Sequence, residues 1–379
     1  MGHLRKRKLQ GGKSAYLARY RGPDGREHSK QFARRVDAER FLASAEVTKA
    51  EGSWVDPAKG RVRLAEWVGE WQEGERHRLR PSTYARDDVY LRTRILPAFG
   101  EVALARIEHQ QVQAWVNELT KTYAPSTVHK FHQILRKTMA SAVRNRMIAQ
   151  NPCEGVQLPR IEREEMRFLT PTEIDLLAEA IAGPYRGFVL LGAYGGLRLG
   201  EMTGLRWGRL DLLRRRVDVA EISYELDGKV WFGPPKTKAA RRTVPLPEVV
   251  ATALATNTEP NPDSQALVFT SPEGMPIRAG QFRQRIWRAG AEAAGLEGLR
   301  IHDLRHTAVA LWIAAGASPT EIARRAGHTS VVTVLDRYGH LLPGAEDRVT
   351  DALDRMSAEV RERPGLGGRD RRARAPRTR

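Results

Sequence analysis

Two charged, proline-bearing joints constrain this chain of 379 residues more than any other feature, because they cut it into three blocks, each needing its own core. One joint falls near Pro57, and the other runs from Asn151-Pro152 through residues 158–167. Proline steers the residue before it away from helix, so such segments end elements. In residues 1–60, Tyr16, Leu17 and Tyr20 lie among basic residues ahead of the turn signal Arg21-Gly22-Pro23-Asp24-Gly25, and Ala38, Phe41, Leu42 and Ala45 recur at helical spacing. The pattern predicts a small sheet with one helix packed on it. Residues 63–159 read as four helices, at 64–75, 84–96 with Ser82 as cap, 110–119 and 126–146. The last carries Lys130, Arg136, Lys137, Arg144 and Arg146 between apolar residues, so one face can pack while another meets phosphates. Residues 168–360 mix helices with short strands at 217–222, 230–232 and 241–246, and Thr170 or Thr172 caps the first helix. The expected fold class is multi-domain and mainly α with small β-sheets, ending in a basic, disordered tail over 361–379.

Charge indicates the partner. Lys and Arg number 63 against 45 acidic residues, a formal charge of +18 spread along the chain, which suits extended contact with a polyanion such as double-stranded DNA. One cysteine, Cys153, excludes an internal disulfide and a cysteine-based zinc cluster. The basic start lacks the apolar run of a signal peptide, and the longest nearly apolar stretch, 187–197, is too short to span a bilayer. The expectation is a cytoplasmic, nucleoid-associated protein with no membrane segment.

Three clusters in the last block carry chemistry. Gly195-Gly196-Leu197-Arg198-Leu199-Gly200-Glu201 places an Arg between glycines with a carboxylate three residues on, positioned to hold it. Pro234-Pro235-Lys236-Thr237-Lys238 lies in a basic loop between strands, where a hairpin tip would project a lysine. The third cluster joins Ile301-His302-Asp303-Leu304-Arg305-His306, Gly327-His328 and Asp336-Arg337-Tyr338-Gly339-His340, and it puts His302 and Arg305 on one helix face. His302 and His306 are spaced like a zinc-protease pair. Against that reading, Asp303 replaces the required Glu, Arg305 would sit beside the metal, and Trp312 stands where one protease class has its third histidine.

Together these clusters resemble the tyrosine recombinase (phage integrase) family, whose signature is a Gly-Leu-Arg-x-Gly-Glu, a hairpin Lys, a His-x-x-Arg, a Gly-His and a Tyr-x-His in this order. The resemblance implies a site-specific recombinase that cuts and rejoins DNA through a 3′-phosphotyrosine link to Tyr338, with no metal, cofactor or ATP. It implies an active site of Arg198, Lys236, His302, Arg305, His328 and Tyr338, with Glu201 orienting Arg198. In those roles the arginines hold the scissile phosphate, Lys236 protonates the leaving 5′-hydroxyl, with Lys238 its nearest alternative, His302 assists at the tyrosine, and His328 hydrogen-bonds the phosphate. It further implies an arm-type DNA-binding domain at 1–60, a helical SAM-like core-binding domain at 63–159 and a catalytic domain at 168–360. A homo-tetramer on paired attachment sites, a directionality factor or host DNA-bending protein, and integration or excision of a phage or mobile element complete the expectation. Arg209 stands where the family often has an acidic residue. A type IB topoisomerase and a non-enzymatic DNA-binding regulator are the competing readings.

Overall fold

The computed structural model describes residues 2–8, 14–52, 54–162, 165–181, 183–256, 262–341, 350–351 and 353–358, so the expected tail lies outside the described residues. The chain divides into two compact units, Met1–Glu164 and Glu165–Arg379.

The first unit opens with an antiparallel sheet of three strands, β1 (His3–Lys8), β2 (Ser14–Arg21) and β3 (Glu27–Phe32), in that order. Alternation along β2 turns Ala18 and Tyr20 inward, and Tyr20 packs edge-on against Phe41 of helix α1 (Arg35–Ala50). The sheet-plus-helix expectation is met, with β1 as an unforeseen strand because its basic sequence shows almost no apolar alternation. Helices α2 (Leu64–Arg76), α3 (Pro81–Tyr90), α4 (Leu96–Phe99), α5 (His109–Thr120) and α6 (Pro125–Arg144) follow. A π turn over Leu91–Ile95 joins α3 to α4. Ser82 is not the cap expected of it: the cap is Arg80, and Pro81 takes the first helical position, where its missing N–H costs nothing. Trp67, Leu91, Ile95, Leu135 and Met139 fill the core of these helices.

In the second unit, α7 (Pro171–Ala180) starts at Thr170, whose hydroxyl accepts from the Glu173 N–H while the Glu173 carboxylate takes the Thr170 N–H. The apolar α8 (Arg186–Gly195) is the central post, buried along nearly its whole length. It leads through Gly196 into α9 (Leu199–Thr203). Strands β4 (Leu210–Asp211), β5 (Arg216–Val219) and β8 (Arg242–Pro245) form one small sheet, and β6 (Ile222–Leu226) with β7 (Lys229–Gly233) a separate hairpin. The single strand expected over 217–222 is thus divided between two sheets. Helices α10 (Glu248–Thr256), α11 (Ala279–Phe282), α12 (Arg288–Ala293), α13 (Ile301–Ala314), α14 (Pro319–Ala326) and α15 (Val332–Tyr338) follow. Among the described residues no helix is long and apolar enough to cross a membrane.

Candidate active site

The site forms where the ends of α8 and α14 meet the start of α9 and the first turns of α13. Gly196 ends α8 with φ +65°, a left-handed turn that aims its carbonyl at α13, and Trp312 lies so close that a Cβ would meet its ring at 2.6 Å. Arg305, on α13 and 3 % exposed, donates to that carbonyl and to the carbonyl of Ala326 at the end of α14. Its terminal nitrogen also lies 3.2 Å from His328 Nε2. A guanidinium has only donors, so Nε2 accepts and the proton of the neutral ring sits on Nδ1, which is buried without a partner. Burial, then the Arg305 and Arg198 charges, hold His328 down to about 4, so this ring is neutral at pH 7. Burial and the facing Arg198 lower Arg305 to about 9, which leaves it a cation.

Arg198 precedes α9 and is fixed by Glu201. Its backbone N–H donates to Glu201 Oε2 at 2.9 Å, its guanidinium to Oε1 at 2.8 Å, and its second amino group to the Gly327 carbonyl at 3.4 Å. Burial would raise the Glu201 carboxyl, but Arg242 and then Arg198 hold it below the usual carboxylate range. Arg242, on β8, was not foreseen. It binds both Glu201 oxygens at 3.2 and 3.0 Å and gives its Nε–H to the Arg325 carbonyl. Three successive carbonyls at the end of α14, those of Arg325, Ala326 and Gly327, therefore each accept from a different arginine. The negative end of the helix dipole suits that arrangement. Three guanidiniums around one carboxylate leave an excess of positive charge, with Arg198 the partly exposed member at 38 %.

Tyr338 ends α15 and is 2 % exposed, its hydroxyl sharing a 2.6 Å hydrogen bond with His306 Nδ1. His306 is the second residue that sequence reading left without a role. Burial raises the Tyr338 phenol, an effect that Arg305 and Arg337 oppose, and burial lowers His306, so both groups are neutral here. His302 packs edge-on against His306 with centroids 4.8 Å apart. Burial, then His306, Arg305 and Arg198, lower His302 even though part of the residue stays open to solvent. Arg198, Glu201, Arg305 and His328 are thus brought into one bonded network, while His302 and Tyr338 are linked through His306.

Lys236 is exposed, and among the described residues no hydrogen bond or ion pair joins it to the others. It is not at a hairpin tip. The β6–β7 hairpin turns at Asp227-Gly228, and Lys236 lies in the connection from β7 to β8, because two left-handed residues (φ 50° and 70°) place the tight turn earlier in the chain. Arg209, at the departure noted above, pairs with Asp218 at 3.0 Å.

The result is a half-open cluster of guanidiniums near a helix-borne tyrosine, an arrangement whose surplus positive charge suits an anion. The family model described as "Phage integrase family" matches residues 167–344, and that for the "Phage integrase, N-terminal SAM-like domain" matches 63–120. The integrase of Mycobacterium phage D29 is 30 % identical over 327 residues, spanning 82 % of this chain and 84 % of that protein. The Tn1549 transposon integrase, solved in complex with a circular intermediate DNA, superposes with a TM-score of 0.64 at 20 % identity over 78 % of this chain and 99 % of its own. A lambda integrase tetramer bound to a Holliday junction gives 0.53 at 17 % identity, covering 83 % and 90 %. The chain belongs to the phage integrase family of tyrosine recombinases. It is a site-specific recombinase that cuts and rejoins DNA.

Proposed function

We propose that Arg198, Lys236, His302, Arg305, His328 and Tyr338 carry this reaction, with Glu201 orienting Arg198, and that it integrates or excises a phage or mobile element without metal or ATP. The observation that carries the reading is the excess positive charge that Arg198, Arg305 and Arg242 hold around the single Glu201 carboxylate. A phosphodiester gains negative charge as it becomes pentacoordinate, and fixed guanidiniums stabilise that charge without reorganising. His328 Nδ1–H, buried without a partner, adds a donor suited to an anionic oxygen.

In this mechanism the Tyr338 oxygen attacks phosphorus and its proton passes to His302, while the P–O5′ bond breaks and Lys236 protonates the departing 5′-oxygen, which leaves as a hydroxyl. The phosphotyrosine bond conserves the energy of the cleaved linkage for religation. Because Tyr338 is buried against His306, its hydroxyl must be uncovered before attack, and DNA contact must bring the exposed Lys236 to the phosphate. Residues 1–60 would serve as the arm-type module, 63–159 as the core-binding domain and 168–360 as the catalytic domain. Four copies would act on paired double-stranded attachment sites with a directionality or DNA-bending factor, where the chromosome lies.

Nicked DNA carrying candidate attachment sites, incubated in EDTA with wild type and Tyr338→Phe, tests the reading on denaturing gels. A protein–DNA adduct with wild type and none with Tyr338→Phe is expected. Binding with no adduct from either protein would replace the catalytic reading with that of a DNA-binding regulator, and relaxation of supercoiled DNA lacking any defined site would favour a topoisomerase.

A further inference from the structure

We propose that Arg242 is a positioning residue for strand cleavage, acting through Glu201 to hold the Arg198 guanidinium where the scissile phosphate meets it. The inference rests on the assignment of Arg198 as a phosphate ligand.

Arg242 is an inward member of an alternating strand, with Arg242 and Val244 buried while Thr243 and Pro245 face out. Its Nε–H goes to the Arg325 carbonyl, one terminal nitrogen to the Ala240 carbonyl and Glu201 Oε1, and the other to Oε2. With four of its five donors committed to protein and 9 % of its surface exposed, Arg242 has little left to offer a substrate. Its effect falls on Glu201. A carboxylate has about four lone-pair positions. Glu201 Oε1 accepts from the guanidiniums of Arg198 and Arg242, and Oε2 from the Arg198 N–H and from Arg242. Every position is taken, so the carboxylate has one orientation, and Arg198 inherits it.

Without Arg242, half of those donors vanish and a buried carboxylate is left with Arg198 as its only hydrogen-bonded cation. That charge would draw the Arg198 guanidinium inward, away from the open side where DNA arrives. Arg242 also ties β8 to the end of α14, whose next two carbonyls hold Arg305 and Arg198, so it sets all three guanidiniums against one frame. Lysine cannot reproduce this planar, forked pattern.

The test is a single-turnover adduct assay on saturating nicked-site DNA, run with wild type, Arg242→Lys, Arg198→Lys and the double variant, alongside DNA affinity and thermal unfolding. We expect Arg242→Lys to bind DNA as wild type does but to form adduct about 100-fold more slowly, the range of a lost charge-stabilising contact. The double variant should be no slower than Arg198→Lys alone, since one residue works through the other. Arg241→Lys, at the exposed residue just before the same strand, should match wild type. Losses that multiply in the double variant, or Arg242→Lys cleaving at the wild-type rate while Arg198→Lys is slow, overturn the proposal and leave the Arg198 assignment standing. If Arg198→Lys itself cleaves normally, the assignment fails and the proposal with it. Should Arg242→Lys be unfolded at assay temperature, Glu201→Gln breaks the same relay at its middle. A loss that fails to multiply with Arg198→Lys supports the relay, and a multiplying one overturns it.

Discussion

His132, His302, His306 and His328 are all held below the ordinary imidazole value, with burial as the leading cause in each. The folded chain therefore resists protonating rings that the unfolded chain protonates readily near pH 6.5. Stability is fully present above about pH 6.5, and it falls as pH drops towards 4, because over that window the unfolded state binds protons that the native state refuses. Melting temperature measured from pH 8 to pH 5 without DNA should be flat at first and then decline. His328→Asn, which removes one of the refused protons, should make the decline shallower, and an unchanged slope would show that His328 titrates normally in the folded protein. Cleavage has a related expectation: since His328 is neutral at pH 7, its titration should leave no inflection near pH 6.5 in the adduct-formation rate.

The left-handed end of α8 shows how an element reaches into the site. Gly196 both turns the chain and presents the carbonyl that Arg305 binds, with the Trp312 ring packed against its Cα. Gly196→Ala should cost at least about 1–2 kcal/mol for the left-handed backbone alone, more once its methyl group meets Trp312, and should slow cleavage as Arg305 shifts. Chemical denaturation and the adduct assay read the two effects separately, and an unperturbed unfolding midpoint would sink the argument. Much of this site was legible in the sequence, because Gly-Leu-Arg-x-Gly-Glu, His-x-x-Arg, Gly-His and Tyr-x-His are contiguous motifs whose spacing survives folding. Arg242 was harder to see, since beside Arg241 it reads as surface charge. The signal was present in the strand's period of two, which puts Arg242 on the same face as Val244. His306 was overlooked for a related reason: its partner Tyr338 lies 32 residues away and on a different helix. The Lys236 loop was misread as a hairpin tip because Pro234-Pro235 is a conspicuous break, whereas Asp227-Gly228 makes the actual turn.

Across the chain, the charge of +18 and the buried arginines of the site answer to different physics. Surface lysines and arginines bind DNA by releasing condensed counterions, a contribution that salt removes. Arg305 and Arg242 are 3 % and 9 % exposed and held by carbonyls and a carboxylate, so mobile ions screen them little. The two contributions should separate in one titration. If the protein neutralises about six or more phosphates, its affinity for double-stranded DNA should fall about 1,000-fold or more between 50 and 200 mM salt, with a log–log slope of roughly −0.9 per phosphate contacted. The rate of adduct formation at saturating DNA should change far less over the same range. Filter binding and single-turnover gels at matched salt concentrations make both measurements. A cleavage rate falling in parallel with affinity would mean that the buried guanidiniums are screened as surface charges are, contrary to their burial.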